Sequence, residues 1–316
     1  MKTIILAAGG WTRLLPFTLY KAKALVNILG KPLLEYILEN VYDLTDEYII
    51  VIKFFKDEFK NYFWNNYKWK KITYIYQWEE KWTAASLFNL NYEEFEWEKI
   101  LIMNWDNIIC KEDLINFANS IENYWCLAKF SNTPSNHWVL NILNNNNDNV
   151  LSITEKPNKF IWNLVNWWVY IVNNEIIKIA KTLNLSSRWE YEITDAMNIF
   201  MNKNIFNYYE IKNRYFHITS PIDLYTTSMF MLNNNLSISN KIEQNWKNYI
   251  WNNCKIWNKV HINNSIINDW VTIWNNCILN NCLIWENSYI SENFNFNSES
   301  IKIFWPNTYL FQNTTI

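Results

Sequence analysis

The chain has 316 residues, a net charge of −2 at pH 7 and a pI of about 6.0, so it lacks the charge excess of a nucleic-acid-binding or membrane-surface protein. This length suits one large domain and a smaller one, and no apolar run reaches the ~18 residues of a membrane helix. The first apolar run is too short for a signal peptide, and the five cysteines contain no C-x-x-C pair. We therefore expect a cytoplasmic protein with reduced cysteines.

A short apolar run over Thr3–Ala7 predicts a buried strand, and it leads into a turn that contains Gly9 and Gly10. Backbone N–H groups in such a turn can cradle phosphate. Arg13 follows with a forked cation suited to bidentate phosphate contacts, and Lys23 adds a point charge. The sequence therefore predicts a phosphate-binding turn close to the N-terminus.

Strands and helices alternate through the next hundred residues. Strands are predicted at 48–54, 71–77 and 100–104, and helices at 33–41, 56–63 and from about residue 82. Alternation of this kind is typical of an α/β protein with a Rossmann-like, mostly parallel sheet, in which ligands gather at the carboxyl ends of the strands.

Tryptophan and glycine occur in abnormal numbers. The chain has 20 tryptophans and 3 glycines, which together come close to the roughly 22 glycines that ordinary composition predicts for this length. Many tryptophans also stand in turn and loop contexts. Because some bacteria decode UGA as glycine and a common translation table renders it as tryptophan, we interpret many of these tryptophans as recoded glycines. The alternative is a protein that is truly rich in tryptophan.

Residues 3–32 resemble the signature of the sugar-phosphate nucleotidylyltransferases, L-A-A-G-x-G-T-R-L-x-P-x-T…P-K-x-L…G-K-P, as found in glucose-1-phosphate thymidylyltransferases and UDP-N-acetylglucosamine pyrophosphorylases. Trp11 stands where the family has glycine, and Ala22 stands where it has proline. With tryptophan read as glycine, further segments resemble the family at 82–87, 104–106, 155–157, 166–170, 188–196 and 217–224.

The resemblance implies that a sugar-1-phosphate oxygen attacks the α-phosphate of a nucleoside triphosphate and that pyrophosphate leaves, which demands positioning and charge neutralisation. It implies catalytic roles for Arg13, Lys23 and Asp106, and Mg²⁺ held by Asp106 and Asp223. The nucleotide would contact Leu6, Ala7, Ala8, Gly9, Gly10, Trp11, Thr12, Gln77, Trp82 and Thr83. The sugar phosphate would contact Trp138, Glu155, Lys156, Asn166 and Glu190.

Each of these residues also has an ordinary structural interpretation. Arg13 and Lys23 could be surface cations, and Asp106 could cap the turn after its strand. Asn166 could simply form a turn. The family often has its second metal aspartate where His217 stands here, so either His217 or Asp223 could be the second ligand.

The C-terminal part repeats at steps of six residues with five-residue slips, from Ile250-Trp251 to Ile290. With tryptophan as glycine, this pattern is typical of a left-handed parallel β-helix, with one inward apolar residue per face. We predict a nucleotidylyltransferase domain over 1–235, a linker at 233–240, and a short β-helix over 241–316. Cys254, Cys277 and Cys282 should face the interior or a ladder, and the uncovered coil edge predicts a homo-oligomer.

Three functions fit the sequence. The first is an enzyme that makes an NDP-sugar, and the second is a non-catalytic regulatory or assembly subunit of the same fold. The third is a bifunctional enzyme whose β-helix also transfers acyl groups. The β-helix region contains a single histidine, His261, and is short, which offers little for an acyl-transfer site.

Overall fold

The structure is a computed structural model that describes residues 1–9, 14, 18, 21–78, 82–96, 98–119, 124–143, 149–186, 189–234, 248–251 and 253–311. It divides into two compact units. The first comprises Met1–Gly10 and Tyr36–Tyr215, and the second comprises Trp11–Glu35 and Phe216–Ile316. Among the described residues, no helix combines the length and the apolar character needed to cross a membrane.

The secondary structure of the described residues begins with a strand and ends with short repeated strands. The strands are β1 Lys2–Leu6, β2 Asn27–Ile28, β3 Lys31–Pro32, β4 Glu47–Ile52, β5 Asn66–Tyr67, β6 Lys70–Tyr76, β7 Ile100–Asn104, β8 Asn107–Ile109, β9 Tyr124–Phe130, β10 Trp138–Ile142, β11 Val150–Glu155, β12 Leu164–Val172, β13 Phe206–Glu210, β14 Tyr215–His217, β15 Asn248–Ile250, β16 Lys255–Ile256, β17 His261–Asn263, β18 Ser265–Ile267, β19 Thr272–Ile273, β20 Ile278–Asn280, β21 Cys282–Ile284, β22 Tyr289–Ile290, β23 Asn295–Phe296, β24 Lys302–Phe304 and β25 Tyr309–Leu310. The α-helices are α1 Leu33–Asn40, α2 Lys56–Phe63, α3 Trp82–Ala85, α4 Lys111–Asn119, α5 Glu175–Lys181, α6 Ile193–Met201 and α7 Pro221–Asn233.

A sheet of ten strands forms the centre of the first unit, and its middle is parallel in the order β7-β1-β4-β6. Strands β1, β4 and β7 are apolar and almost entirely buried, as expected of parallel strands covered on both faces, whereas β6 is mostly half-buried. Their carboxyl ends, at Leu6, Ile52, Tyr76 and Asn104, lie along one edge of the sheet. The predicted α/β class with a mostly parallel sheet is thus confirmed.

The remaining strands extend this sheet with antiparallel pairs. Strand β12 lies antiparallel to β7, β9 and β10, while β13 lies parallel to β9. The register between β12 and β9 shifts between Asn166 and Tyr170, which marks a β-bulge. The bulge lies in the segment that the sequence assigns to sugar binding.

The second unit contains three parallel ladders built from short strands. They run β15-β18-β21-β24, β16-β19-β22-β25 and β17-β20-β23. Asn248 pairs with Ser265, 17 residues later, which corresponds to two steps of six and one of five. Successive turns of the chain thus add one strand to each ladder, an arrangement consistent with a β-helix.

Apolar side chains fill the inside of these ladders, including Ile273, Leu279 and Ile284, each fully buried. Cys277 and Cys282 are buried among them, and all five cysteines of the chain are free. Burial raises the pKa of the Cys254 thiol to about 11 and that of Cys282 to about 12. The inward placement predicted for these cysteines is therefore confirmed for Cys277 and Cys282, while Cys254 is half-buried.

The two units do not follow the predicted division at residues 235–241. Helix α7, which the prediction placed in the first domain, groups with the ladders, as do residues 11–35. The hydroxyl of Tyr225 on α7 donates to the carbonyl of Asn264, 2.8 Å away, on the loop before β18. Tertiary packing of this kind leaves no composition signal in the sequence. Most of the predicted linker over 233–240, namely residues 235–240, lies outside the described residues.

Among the residues that the structure describes, four tryptophans have positive φ angles. Their φ angles are 56° at Trp64, 57° at Trp168, 62° at Trp189 and 59° at Trp270. A bulky residue is rare in this region because Cβ crowds the backbone, whereas glycine adopts it freely. These conformations support the interpretation of such tryptophans as recoded glycines.

The tryptophans of the hexapeptide pattern do not occupy the left-handed corners of the ladders. None of Trp251, Trp257, Trp274 and Trp285 is among the residues with positive φ. Each follows a strand, and its N–H donates to a carbonyl of the next turn of chain, at 3.0 Å in every case. The left-handed corners are instead occupied by Trp270 and by asparagines such as Asn276, Asn287 and Asn293. Asparagine tolerates this conformation through its short polar side chain.

Candidate functional site

The turn after β1 begins at the carboxyl edge of the sheet. The N–H of Ala7 donates to Val51 O at 2.8 Å, which continues the parallel ladder for one residue. Leu6 and Ala8 are buried, while Gly9 is exposed beyond them. A Cβ at Gly9 would lie 3.9 Å from Trp105 Nε1, an ordinary contact. The predicted phosphate-binding residues Gly10, Trp11, Thr12 and Arg13 lie outside the described residues.

Asp106 lies at the same edge, in the turn between β7 and β8. Parallel pairing matches Leu6 with Asn104, so the chain turns after β1 and after β7 at neighbouring positions. The carboxyl group is half-buried, and the preceding Trp105 is buried. Among the described residues, no cluster of three or more His, Cys, Asp and Glu side chains forms a metal-binding group. Mg²⁺ commonly takes one or two carboxylates together with substrate phosphates, and Asp106 suits that donor set.

Gln77 follows β6 at this edge and is buried, with an exposed fraction of 7%. Its N–H donates to Ile52 O at 3.0 Å, and its Oε1 accepts a hydrogen bond from the Ser86 hydroxyl at 2.8 Å. The sequence identified Gln77 as a candidate but not Ser86. The resemblance of the T-A-A-S segment to the family was the signal that could have identified Ser86.

Thr83 joins helix α3 to the start of helix α6. Its hydroxyl accepts a hydrogen bond from the Ile193 N–H at 3.0 Å, and the neighbouring Ala84 N–H donates to Tyr191 O at 3.0 Å. The predicted base-reading segment and the predicted sugar segment near Glu190 therefore lie side by side. Nothing is described of the Trp82 side chain.

Three of the predicted sugar-phosphate residues lie together on β10 and β11. Trp138 pairs with Glu155 across the antiparallel register. The Lys156 amine lies 5.4 Å from the Trp138 ring centroid and 4.0 Å from Glu155 Oε1, and the Lys156 N–H donates to His137 O at 2.8 Å. The cation is half exposed and close to both an aromatic face and a carboxylate.

Asn166 lies in the bulge of β12 next to this group. It is 2% exposed, and its Nδ2 donates to the Tyr170 hydroxyl at 2.6 Å. Burial raises the pKa of Tyr170 despite this hydrogen bond from Asn166. The left-handed Trp168 follows, and its ring centroid lies 4.7 Å from that of Trp138. Asn166 thus shapes the bulge through its bond to Tyr170.

Glu190 lies in a tight turn. Its N–H donates to the Ser186 hydroxyl at 3.3 Å and its carbonyl accepts from the Ser186 N–H at 2.9 Å. The left-handed Trp189 stands at the tip of this turn and is 77% exposed. The hydrogen bond from Ala84 N–H to Tyr191 O places the residue after Glu190 next to the predicted base-reading segment.

Three further predicted residues belong to the second unit. Lys23 begins a short 3₁₀ turn over Lys23–Leu25 and is half-buried. His217 ends β14 and is exposed. Asp223 forms a capping box with Ser220 at the start of α7, and its Oδ2 accepts from the N–H groups of Thr219 and Ser220 at 2.9 and 2.7 Å.

The capping box also affects the ionisation of Asp223. Burial acts to raise the pKa of this carboxyl, but the hydrogen bonds from Thr219 and Ser220 outweigh it and hold the pKa below the usual range. The carboxylate is therefore ionised at neutral pH, and its Oδ2 already accepts hydrogen bonds from backbone N–H groups at the start of α7. The pattern Ser220-x-x-Asp223 was visible in the sequence as a capping signal.

Comparison with known proteins identifies the family. A sequence model of the nucleotidyl transferase family matches residues 2–258. The chain belongs to this family. It is 31% identical over 254 residues to the bifunctional protein GlmU of Methanococcus vannielii, covering 78% of this chain and 58% of that protein. It is 29% identical over 213 residues to the UTP–glucose-1-phosphate uridylyltransferase AglF of Haloferax volcanii, covering 64% of this chain and 84% of that protein.

Solved structures share the nucleotidyl transferase fold. The apo form of a UDP-glucose pyrophosphorylase superposes with a TM-score of 0.66 at 18% identity, covering 74% of this chain and 99% of that one. A likeness at this identity shows the fold. The chain spans about 58% of the length of the GlmU relative.

Proposed function

We propose that this chain is a sugar-1-phosphate nucleotidylyltransferase that condenses a nucleoside triphosphate with a sugar-1-phosphate. A phosphate oxygen of the sugar-1-phosphate forms a bond to the α-phosphorus, the bond between the α-phosphorus and the bridging oxygen to the β-phosphate breaks, and pyrophosphate leaves with the electron pair. The observation that supports the proposal is that Gly9, Gln77 and Asp106 each follow a parallel strand at the same carboxyl edge of the sheet.

The proposed roles follow from the chemistry of the side chains. The turn after β1 and Arg13 hold the triphosphate, and Lys23 neutralises charge on the α-phosphate. Mg²⁺, held by Asp106 and by Asp223 or His217, supplies charge neutralisation at the phosphates. We assign Asp106 the principal part, because the capping box already uses Oδ2 of Asp223.

In this proposal, the group around Gln77 recognises the base and the group around Trp138 and Lys156 recognises the sugar phosphate. Gln77, oriented by Ser86, faces the base together with the turn at Trp82 and Thr83. Lys156 offers a cation to the sugar phosphate, and Trp138, Glu155, Asn166 and Glu190 offer contacts to the sugar ring. The name of AglF of Haloferax volcanii, a UTP–glucose-1-phosphate uridylyltransferase, fits this reaction class.

We further propose that the ladders of residues 248–311 form a left-handed β-helix that joins a homo-oligomer, and that the protein acts in the cytoplasm with free cysteines. A second activity, acyl transfer, is favoured by one observation, the name of a relative from Sulfurisphaera tokodaii, a bifunctional sugar-1-phosphate nucleotidylyltransferase/acetyltransferase. The matched region covers 56% of that relative, so nucleotidyl transfer remains the main proposal.

The experiment is a pyrophosphate-release assay of the full chain with five nucleoside triphosphates against glucose-, mannose- and N-acetylglucosamine-1-phosphate. Asp106→Ala should reduce Mg²⁺-dependent turnover by at least about 100-fold, in the range of a lost electrostatic contact to the transition state. The matched control is Asp57→Ala, an exposed aspartate on α2. Equal turnover in wild type and Asp106→Ala would refute the assignment, and nucleotide binding without any turnover would favour the non-catalytic subunit.

A further inference from the structure

The loop between β11 and β12 exposes two neighbouring apolar side chains. Phe160 is 75% exposed and Ile161 is 36% exposed. We call residues 157–162 the strap. No residue of the strap forms a hydrogen bond or an ion pair with any residue that the structure describes. Adjacent apolar side chains that contact so little mark a surface that a ligand or another segment covers.

Two hydrogen bonds hold the strap at its ends. The N–H of Lys156 donates to His137 O, and the N–H of Ser131 donates to Asn163 O, both at 2.8 Å. Lys156 has φ of 37°, which is unfavourable for a residue with a side chain and is disfavoured further by the proline that follows. Strain of this kind persists at ligand clamps and switch segments. The strap therefore has fixed ends, one of them strained, and its middle can move without breaking a hydrogen bond.

The strap lies beyond the carboxyl edge of the sheet. Val169 of β12 pairs with Met103, the penultimate residue of β7, and the two strands are antiparallel. The first part of β12 therefore extends past the carboxyl end of β7, and the strap precedes β12 in the chain. Gln77 and Asp106 follow parallel strands at this same edge. The strap is thus at the end of the sheet where the proposed reaction takes place.

The strap begins at the residues that are proposed to hold the sugar phosphate. Lys156 immediately precedes it, and the amine of Lys156 is half exposed and lies 5.4 Å from the Trp138 ring centroid. Phe160 follows Lys156 by four positions, and four extended residues span at most about 14 Å. The side chain of Phe160 can therefore reach over a sugar whose phosphate lies at the Lys156 amine.

The sugar-phosphate group needs an apolar wall that its own residues do not supply. Glu155 and Lys156 are charged, and we interpret the two indoles of the group, Trp138 and Trp168, as recoded glycines. Pockets for small ligands combine a few polar groups with apolar and aromatic walls. The carbon faces of a sugar ring are apolar and suit an aromatic ring. Phe160 is the exposed aromatic residue that the strap offers for this purpose.

We propose that the strap closes over the bound sugar-1-phosphate and that Phe160, with Ile161 beside it, covers the sugar ring. The inference rests on the proposed function, and it does not use Trp162, because that residue can be a recoded glycine. Closure excludes water from the α-phosphorus. In an open site a water oxygen bonds to the α-phosphorus, pyrophosphate leaves with the electron pair of the broken bond, a proton passes to solvent, and a nucleoside monophosphate forms. The strap thus favours the sugar phosphate over water.

Steady-state kinetics of Phe160→Ala test the role of the side chain. We expect the KM for the sugar-1-phosphate to rise about 5- to 50-fold, the effect of one lost aromatic contact, and the KM for the nucleoside triphosphate to stay within about two-fold. The ratio of nucleoside monophosphate to NDP-sugar should rise, and Phe160→Tyr should restore both quantities. The matched control is Tyr62→Ala, an aromatic residue on α2 that is 50% exposed, which should change neither.

Hydrogen exchange of the full chain tests closure without turnover. The N–H groups of residues 158–162 form no hydrogen bond with any described residue, so they should exchange fast in the free protein. The probes are the sugar-1-phosphates of the pyrophosphate-release assay, each with α,β-methylene analogues of its triphosphates, which cannot release pyrophosphate. At least one pair should slow exchange in the strap at least about 10-fold, and the exposed turn at Trp69 should not change.

The proposal is overturned if no pair of probes slows exchange in the strap, or if a triphosphate analogue alone slows it as much as the pair does. It is also overturned if Phe160→Ala keeps the wild-type KM for the sugar-1-phosphate. If the wild type releases no pyrophosphate with any substrate pair, the proposed function is refuted instead. The exchange experiment then decides alone: slower exchange that requires the sugar-1-phosphate supports closure, and unchanged exchange overturns it.

Discussion

Replacing Trp64 with glycine should stabilise the protein. Trp64 caps helix α2 with φ 56° and ψ −136°, a conformation that suits glycine. Two hydrogen bonds hold it there: its N–H donates to Lys60 O at 2.8 Å, and its carbonyl accepts from the Tyr74 hydroxyl at 2.9 Å. The side chain is 72% exposed, so its removal uncovers little.

The magnitude follows from two opposing contributions. Relief of the backbone strain contributes about 1–3 kcal/mol to the free energy of unfolding. The greater freedom of glycine in the unfolded chain costs about 0.5–1 kcal/mol. We therefore expect a net gain of about 1 kcal/mol. Trp69→Gly is the matched control, because Trp69 is 94% exposed and has no positive φ, so it should lose about 0.5–1 kcal/mol.

Urea unfolding of both variants measures these changes, with stability read from a shift in midpoint at unchanged slope. The two variants should differ by about 1–3 kcal/mol, the strain contribution alone. If Trp64→Gly loses as much stability as Trp69→Gly, position 64 carries no strain and the argument for glycine there is wrong.

Three further predictions concern Asp223, assembly and the identity of residue 11. Asp223→Ala should lower the free energy of unfolding by about 1 kcal/mol through loss of the capping box, and full activity in it with loss in His217→Ala would make His217 the second metal ligand. The folded pKa of Asp223 lies below its unfolded value, so the carboxylate stabilises the fold fully above about pH 4 and loses this effect as the pH falls through the folded pKa. The free energy of unfolding of Asp223→Ala should therefore be lower than that of the wild type at neutral pH, and it should fall less steeply as the pH is lowered. A chain ending at Asn240 should be a smaller assembly by light scattering, and an unchanged subunit number would contradict a homo-oligomer joined through residues 246–316. Peptide mass spectrometry of the native protein should find glycine at position 11, and tryptophan there in an active enzyme would refute the recoding.

Local sequence patterns were sufficient to predict the central strands and helices. The predicted helix over 56–63 and the strand over Ile100–Asn104 agree with α2 and β7, because a charged amphipathic segment favours a surface helix and a run of four apolar residues favours a buried strand. The phosphate turn and the site at Asp106 were predicted for a related reason. Each directly follows a strand, and parallel strands bring such turns to one edge.

The contacts between distant segments could not be predicted. The hydrogen bond between Thr83 and Ile193 joins residues 110 positions apart, and it brings the segment that follows Glu190 beside the predicted base-reading segment. The grouping of α7 with the ladders depends on contacts such as that of Tyr225 with Asn264. No periodicity or spacing records such contacts, because each residue type is ordinary at its position.

Glycine can be required at a position for either of two reasons, a left-handed backbone or a lack of space for a side chain, and the structure shows which reason applies at Trp168 and at Trp251. At Trp168 the constraint is the left-handed backbone, with φ of 57°, whereas at Trp251 the backbone is ordinary and the constraint is space beside Gly30. Comparing alanine with glycine at each position cancels the lost indole contacts and leaves the backbone difference. At position 168 glycine should be more stable than alanine by about 1–2 kcal/mol, because alanine keeps the Cβ that crowds a left-handed residue. At position 251 alanine should be more stable by about 0.5–1 kcal/mol, because glycine there adds only unfolded-state freedom. Urea unfolding of the four variants checks both signs. The same sign at both positions would show that backbone conformation does not distinguish these sites, and the recoding would then depend on composition and on the family signature alone.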